Sequence, residues 1–348
     1  MKQIFLLVTG LLFSFNIYAQ NIEKLGKLYV QREYAKVIEL GQEELKNYPD
    51  HPNLNMIVGR AYTDAKQFEK AIPLLEKGTV TENNPDWVQA WSYGYLGNCY
   101  YVTNEYNKSK KSIKTCLKLN ATENSTKYAQ RLLESFQMSS FYDDWEIVES
   151  VNIRFHFQKS KSIADKELFM NDREKAYLEI NKFFNAKPYK KIDFFVWDDP
   201  KQAKRKLGQD LGFANANLCT INSRNNQTQG HEIAHILVTY GILPIKTTRL
   251  INEGVATYFD QTNRDRMQIA REALAGKELK IVELWENPKN FPDDYNYTIG
   301  AALIAYLFEK GNEEQMKRLL KDQTLTSARN IYQNFDDLIV GFTTKLKQ

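Results

Sequence analysis

Between residues 22 and 135, apolar side chains recur at the three- and four-residue steps of a helix that buries one face, and polar stretches divide the run into short helices. A longer period lies over this one. Tyr34 is followed by Val37 and Ile38, Phe68 by Ala71 and Ile72, and Tyr106 by Ser109; the first step is 34 residues and the second 38, as though the loop at ENNPDW carried a four-residue insertion. Ahead of each aromatic, a glycine, two residues and a further aromatic recur, at Gly26 to Tyr29, Gly59 to Tyr62 and Gly97 to Tyr100. Such a repeat predicts stacked helical hairpins over residues 20–140, small residues allowing paired helices to approach. Ser109 departs from the pattern, standing where a small apolar residue is expected.

The period changes after Asp143 and Asp144. VNIRFHF alternates and reads as a strand, followed by a helix over about 165–185, a strand at KIDFFVW, a short helix after Pro200 and a further strand around NLCTINS. From the next helix, which carries His231 and His235, to Gln348 the signal is mostly helical. The chain is therefore expected to be α+β: an all-α array, then a domain over 145–348 with a small mixed sheet and a helical C-terminal part.

Composition narrows the classes. With 47 basic and 43 acidic residues mixed along the chain, the net charge of +4 points to neither nucleic acid nor an anionic membrane. The opening MKQIFLLVTGLLFSFNIYAQ, with Lys2 before an apolar run and Ala19 before Gln20, reads as a signal peptide over 1–19. It predicts an exported protein, periplasmic or secreted and soluble after cleavage, since nothing later approaches the roughly 20 apolar residues of a membrane span. Three cysteines cannot form a complete disulfide set; Cys99 and Cys116 could pair between adjacent helices, though plain buried thiols are the simpler reading.

One stretch carries chemistry. His231-Glu232-Ile233-Ala234-His235 places two imidazoles four residues apart, on one face of a helix, where both can reach one ion, and Glu232 can reach a water beside it. The neighbours Ile233, Ala234, Ile236, Leu237 and Val238 are apolar all round, so the helix is buried, and buried imidazoles and carboxylates require partners. This helix is expected to stop at Gly241 before Pro244, and TTRLINEGVATYFD to form another, capped by Thr247 or Thr248 and carrying Glu253. Val238 and Gly241 stand where a metzincin would need Gly and His.

The two halves resemble different families. Residues 22–135 look like tetratricopeptide repeats, which implies a concave groove for a peptide or protein partner. Residues 145–348 resemble the gluzincin metallopeptidases, of thermolysin-like fold, in which H-E-x-x-H is followed by a helix bearing N-E-G-x-A, matched here by Asn252, Glu253, Gly254 and Ala256. A Y-x-x-G at a helix start also fits, at Tyr297 to Gly300, with Tyr295 as the alternative tyrosine and His156 a poorer candidate. The resemblance implies Zn2+ held by His231, His235 and Glu253, Glu232 as general base, and Tyr297 as oxyanion donor. It also implies an extended peptide substrate paired to an edge strand, for which NLCTINS is the candidate. Aminopeptidase relatives grip the substrate amine through the acid of a G-x-M-E-N segment; GFANAN at 212–217 lacks that acid, which favours an endopeptidase. Cys219 is expected to be an apolar filler rather than a nucleophile. The competing reading is a non-catalytic peptide- or protein-binding scaffold with a peptidase-like domain.

Overall fold

The structure is a computed structural model that describes residues 21–80, 82, 84–158 and 163–348. The expected signal peptide lies outside the described residues, as do positions 81 and 83 around the expected insertion. Contacts divide the chain between Asp143 and Asp144 into two units.

Among the described residues, the first unit is built from helices alone. Residues 21–30 are helical, followed by helices Tyr34–Asn47, Pro52–Asp64, Phe68–Lys77, Asp86–Val102, Tyr106–Leu119 and Glu123–Ser135. Sequence neighbours pack as hairpins around Leu54, Val58, Leu75 and Leu96. Gly59 faces Leu75 and Gly97 faces Ile113 of the paired helix, at matching places in consecutive hairpins. Ser109 is buried there without penalty, because its hydroxyl donates to the Gly97 carbonyl at 2.7 Å. Cys99 and Cys116 are buried free thiols, not a bridge. Burial pushes their pKa values up to about 12 and about 11.

The second unit is α+β, with one five-stranded mixed sheet. Its strands are β1 (Glu146–Glu149), β2 (Ile153–Phe157), β3 (Ile192–Trp197), β4 (Phe213–Asn215) and β5 (Thr220–Arg224), in the order β1-β2-β3-β5-β4. The three central strands run parallel and the two edges antiparallel to them. Parallel neighbours need a crossover, and helix Lys166–Phe184 supplies the one from β2 to β3. It starts on the Asp165 side chain, which accepts from the Leu168 amide, and stops at Asn185 in the left-handed conformation.

Alternation sorts the sheet's two faces. Ile153, Phe155, Phe157, Ile192, Phe194, Val196 and Ile221 join the core formed with the helices. Arg154, His156 and Asp193 point the other way and are buried as a polar cluster: Asp193 takes His156 Nε2 at 2.8 Å, Arg154 at 3.3 Å, and the Lys190 ammonium. His156, the poorer oxyanion candidate, is thereby committed to Asp193 and to stacking on Phe195.

Two expectations about the sheet and its connections need correcting. The NLCTINS strand is not an edge. Residues 216–218 form a 3₁₀ turn on the Asn215 side chain, Cys219 takes a left-handed conformation with φ 54°, and the chain doubles back so that β5 lies inside the sheet with β4 outside it. Cys219 is buried with its thiol pushed up to about 12 by burial, so it is no nucleophile. The histidine helix runs to Ile242, past Gly241, and it is Leu243 that adopts the left-handed stop. Gly241 has a packing reason instead: a Cβ there would lie 2.4 Å from the Phe184 carbonyl oxygen.

From His231 onward the elements are helices, with one isolated bridge between Lys246 and Asp322. None among the described residues is long and apolar enough to cross a membrane.

Candidate metal centre

Three helices build the site. His231–Ile242 buries Ile233, Ala234, Ile236, Leu237 and Val238, so it runs through the core, and His231, Glu232 and His235 fall within its first five residues. Arg249–Tyr258 returns beside it and carries Asn252, Glu253 and Thr257. Tyr295–Lys310 packs on that second helix at backbone contact: a Cβ on Gly254 would lie 2.6 Å from the Gly300 carbonyl carbon, and one on Gly300 2.5 Å from the Leu250 oxygen. Thus Gly254 and Gly300 allow the helix bearing Tyr297 to lie directly on the helix bearing Glu253.

The start of the second helix is fixed from a distance. Thr248 occupies the N-cap position, but its side chain does not cap. Gln323, fully buried, accepts from the Thr248 amide at 2.8 Å instead, and its own carbonyl receives the Trp285 indole N–H at 2.8 Å. Arg249 then forms a forked pair with Asp293, both hydrogen bonds 2.9 Å, tying this helix start to the loop before Tyr295.

The donor atoms converge. Nε2 of His231 and of His235 lie 3.4 and 3.3 Å from Glu253 Oε2, and one donor atom from each of the three residues falls within 4.8 Å of the others. A charge-assisted N–H···O bond is normally about 2.7–2.9 Å long. Tetrahedral coordination at about 2.0–2.2 Å instead separates donor atoms by about 3.3–3.6 Å. The two His–Glu separations fall within the second range, so the residues present are compatible with a zinc-sized ion.

The other imidazole nitrogens are held as well. Thr257 Oγ1 is 3.4 Å from His231 Nδ1 and Asn252 Nδ2 is 3.4 Å from His235 Nδ1. Were Nε2 turned to an ion, Nδ1 would carry the proton; the Thr257 hydroxyl would then accept from His231, and the Asn252 amide, flipped to present its oxygen, from His235. Neither role was read from the sequence. The signal was available for Thr257, one helical turn beyond Glu253 on the same face.

Charge in the cluster is strongly biased. Burial opposes ionisation of Glu253, but hydrogen bonding and charge from His231 and His235 outweigh it and hold the carboxyl far below its usual range. Burial likewise opposes charging of His235, and Glu253 with Glu232 overcomes it, raising that imidazole. Glu232 is buried, and burial lifts its carboxyl above the ordinary value against the pull of the two histidines.

A cavity of about 670 Å³ opens over these groups. His231, Glu232, His235, Thr239, Asn252, Glu253 and Tyr297 line one part of it; the rest is formed by residues 211–214 and Ala216 around β4 and by Asn226, Gln227 and Thr228. The Tyr297 ring lies 5.7 Å from that of His231, centroid to centroid. Tyr295 is buried in the helical core and does not line the cavity, which separates the two alternatives by position. No local pattern marks how the far wall is held. Gln227 donates to the Leu211 carbonyl at 3.4 Å and accepts from Ser223 and Arg224, both at 2.8 Å, while its backbone carbonyl receives buried Arg173 at 3.3 Å. Arg173 also stacks 3.3 Å over the Phe169 ring, and burial lowers its pKa to about 9.

No family model matches the sequence, and no curated protein matches it. The functional reading rests on the geometry of the cluster and on the motifs.

Proposed function

We propose that this chain is an exported zinc-dependent peptidase of the gluzincin type, with a tetratricopeptide-like array ahead of its catalytic domain. The observation that carries the reading is the convergence of His231, His235 and Glu253 at coordination spacing beside a buried glutamate, within an open cavity. Two imidazoles and one carboxylate suit zinc, and three protein ligands leave a position open, as catalytic sites require.

His231, His235 and Glu253 would hold the ion, with Thr257 and Asn252 orienting the imidazoles. Bound there, zinc would supply Lewis acidity, bringing the pKa of a water toward neutrality and polarising the scissile carbonyl. Glu232 takes the proton of the attacking water and returns it to the departing amine. The Tyr297 hydroxyl donates to the oxyanion as it forms, and burial followed by the Glu253 charge keeps that phenol protonated for the purpose.

The substrate would be a peptide lying along β4, whose outer edge is free of a neighbouring strand among the described residues and which lines the cavity. This replaces the NLCTINS segment as the pairing edge. Among the described residues no carboxylate lines the cavity besides Glu232 and Glu253, so none of them is placed to grip a free amino terminus. That supports internal cleavage.

The test is elemental analysis of the purified protein after dialysis, wild type beside Glu253→Ala, together with hydrolysis of a mixed fluorogenic peptide library. About one zinc per chain, lost in Glu253→Ala, with hydrolysis abolished in a Glu232→Gln protein that keeps its zinc, is the expected result. A wild type that takes up no zinc even when offered it would overturn the reading.

A further inference from the structure

Strand β4 is only three residues long, and among the described residues it pairs with β5 alone. An edge so short frays unless its ends are held. At the first end, Gln227 Nε2 donates to the Leu211 carbonyl at 3.4 Å. Gly212 lies against that amide with φ 97°, and a Cβ there would come within 2.0 Å of it.

The second end is the turn into β5, and three side chains fix it. Asn215 Oδ1 accepts from the Leu218 amide at 3.3 Å. The Tyr189 hydroxyl donates to the Asn217 carbonyl at 3.0 Å, and the Tyr240 hydroxyl donates to the Ala216 carbonyl at 2.9 Å. The two tyrosine rings meet edge to face, with centroids 5.8 Å apart.

Those tyrosines come from different places. Tyr189 belongs to the segment between helix Lys166–Phe184 and β3. Tyr240 belongs to the helix His231–Ile242, five residues after His235. Five residues of helix span about 7.5 Å along the axis, and a hydrogen-bonded helix does not stretch. The Tyr240 hydroxyl therefore holds Ala216, which lines the cavity, at a set distance from the two histidines. Burial raises the pKa of this phenol, so it keeps its proton and stays a donor. Tyr240 itself stands outside the cavity lining, and it acts on the cavity through the turn.

We propose that Tyr240 is a positioning residue: through the Ala216 carbonyl it ties the β4 edge to the helix of His231 and His235, and so keeps a peptide paired along β4 within reach of the proposed ion. The inference rests on the peptidase reading and adds to it a residue that touches neither ion nor substrate. Pairing along β4 binds ground state and transition state alike, so loosening the strand raises KM and leaves kcat as it was.

Steady-state hydrolysis by the full chain tests this with two fluorogenic substrates, a hexapeptide long enough to pair along β4 and a blocked dipeptide too short to do so. Tyr240→Phe keeps the ring and removes the hydroxyl alone. Its KM for the hexapeptide should rise about five- to tenfold, the loss of one hydrogen bond, with kcat, zinc content and the dipeptide KM unchanged. Incorporating p-aminophenylalanine at position 240 returns a donor to the same place and should restore the hexapeptide KM. Tyr189→Phe leaves the tie to the metal helix intact and should stay within about twofold of wild type. An active wild type whose hexapeptide KM is unmoved in Tyr240→Phe, or moves equally for the dipeptide or in Tyr189→Phe, would overturn this inference alone. So would a Tyr240→Phe protein that circular dichroism shows to be unfolded, since the tyrosine would then serve the fold. A wild type that neither keeps zinc nor cleaves either substrate would sink the peptidase reading, and this inference with it.

Discussion

Gly300→Ala probes the contact that brings Tyr297 over the proposed metal ligands. The added Cβ would sit 2.5 Å from the Leu250 carbonyl oxygen and 2.9 Å from Gly254 Cα, both backbone atoms that cannot rotate aside. Restoring ordinary contact distances requires the two helices to part by about 1 Å. Overpacking of this kind costs about 1–3 kcal/mol, while the better helix propensity of Ala returns at most about 1 kcal/mol, so the net effect is destabilising. For a unit of this size each kcal/mol corresponds to about 2–4 °C in Tm, so a fall of several degrees is expected in differential scanning fluorimetry. Displacement of the Tyr297 hydroxyl by about 1 Å should lower kcat by about 10²-fold on a fluorogenic peptide. Zinc content should fall far less, because all three ligands lie on the other two helices. A Gly300→Ala protein with unchanged Tm and unchanged kcat would refute the argument that this close approach sets the tyrosine's position.

Three further outcomes follow from the same geometry. Thr257→Val removes the acceptor for His231 Nδ1 and should weaken zinc affinity about 10–100-fold, read by competition with a chelating dye; unchanged affinity would mean the hydroxyl does not orient the ring. Saturating zinc at about 1,000 times its Kd should stabilise the dialysed protein by about 4 kcal/mol, visible as a Tm rise that EDTA reverses and that Glu253→Ala abolishes. Stability should also decline in acid. Burial, only partly offset by Asp193, depresses the folded pKa of His156, so the unfolded chain takes up the proton first; stability is lost as pH falls below about 6.5, by up to about 1.4 kcal/mol per unit. Asp193 acts in the same direction at lower pH. Despite burial, Lys190, His156 and Arg154 hold its carboxyl far down, so its contribution is present above about 3.9 and lost as pH falls through the folded value. A His156→Gln protein with an unaltered Tm profile between about pH 7 and 5 would contradict the first part.

Much was legible where periodicity is strong. The Asp165-capped helix, the strands around Phe155 and Phe194, and the apolar histidine helix lie where their patterns put them, because each buries a long regular face. Short and irregular elements were not legible. β4 has three residues, too few for alternation to register, and the turn before β5 depends on the Asn215 side chain and a left-handed Cys219. The end of the histidine helix was misplaced for a related reason. A glycine near a helix end normally marks the stop, but Gly241 answers to Phe184, 57 residues earlier in the chain.

The sequence by itself determined the division into a helical array and an α+β unit, and the residue types and helical spacing of His231, Glu232, His235 and Glu253. Helical spacing and residue type are local properties. Only the tertiary structure decided that Glu253 Oε2 meets both imidazoles, that Tyr297 rather than Tyr295 faces the cavity, and that β4 forms the sheet's edge beside it. It also disclosed the rings of Tyr29, Trp91 and Tyr95 around Arg60, contributed by two helices other than its own. Each of these depends on backbone approaches between distant segments, such as Gly254 against Gly300 and Gln323 on Thr248, and no local pattern records a contact whose partner lies dozens of residues away.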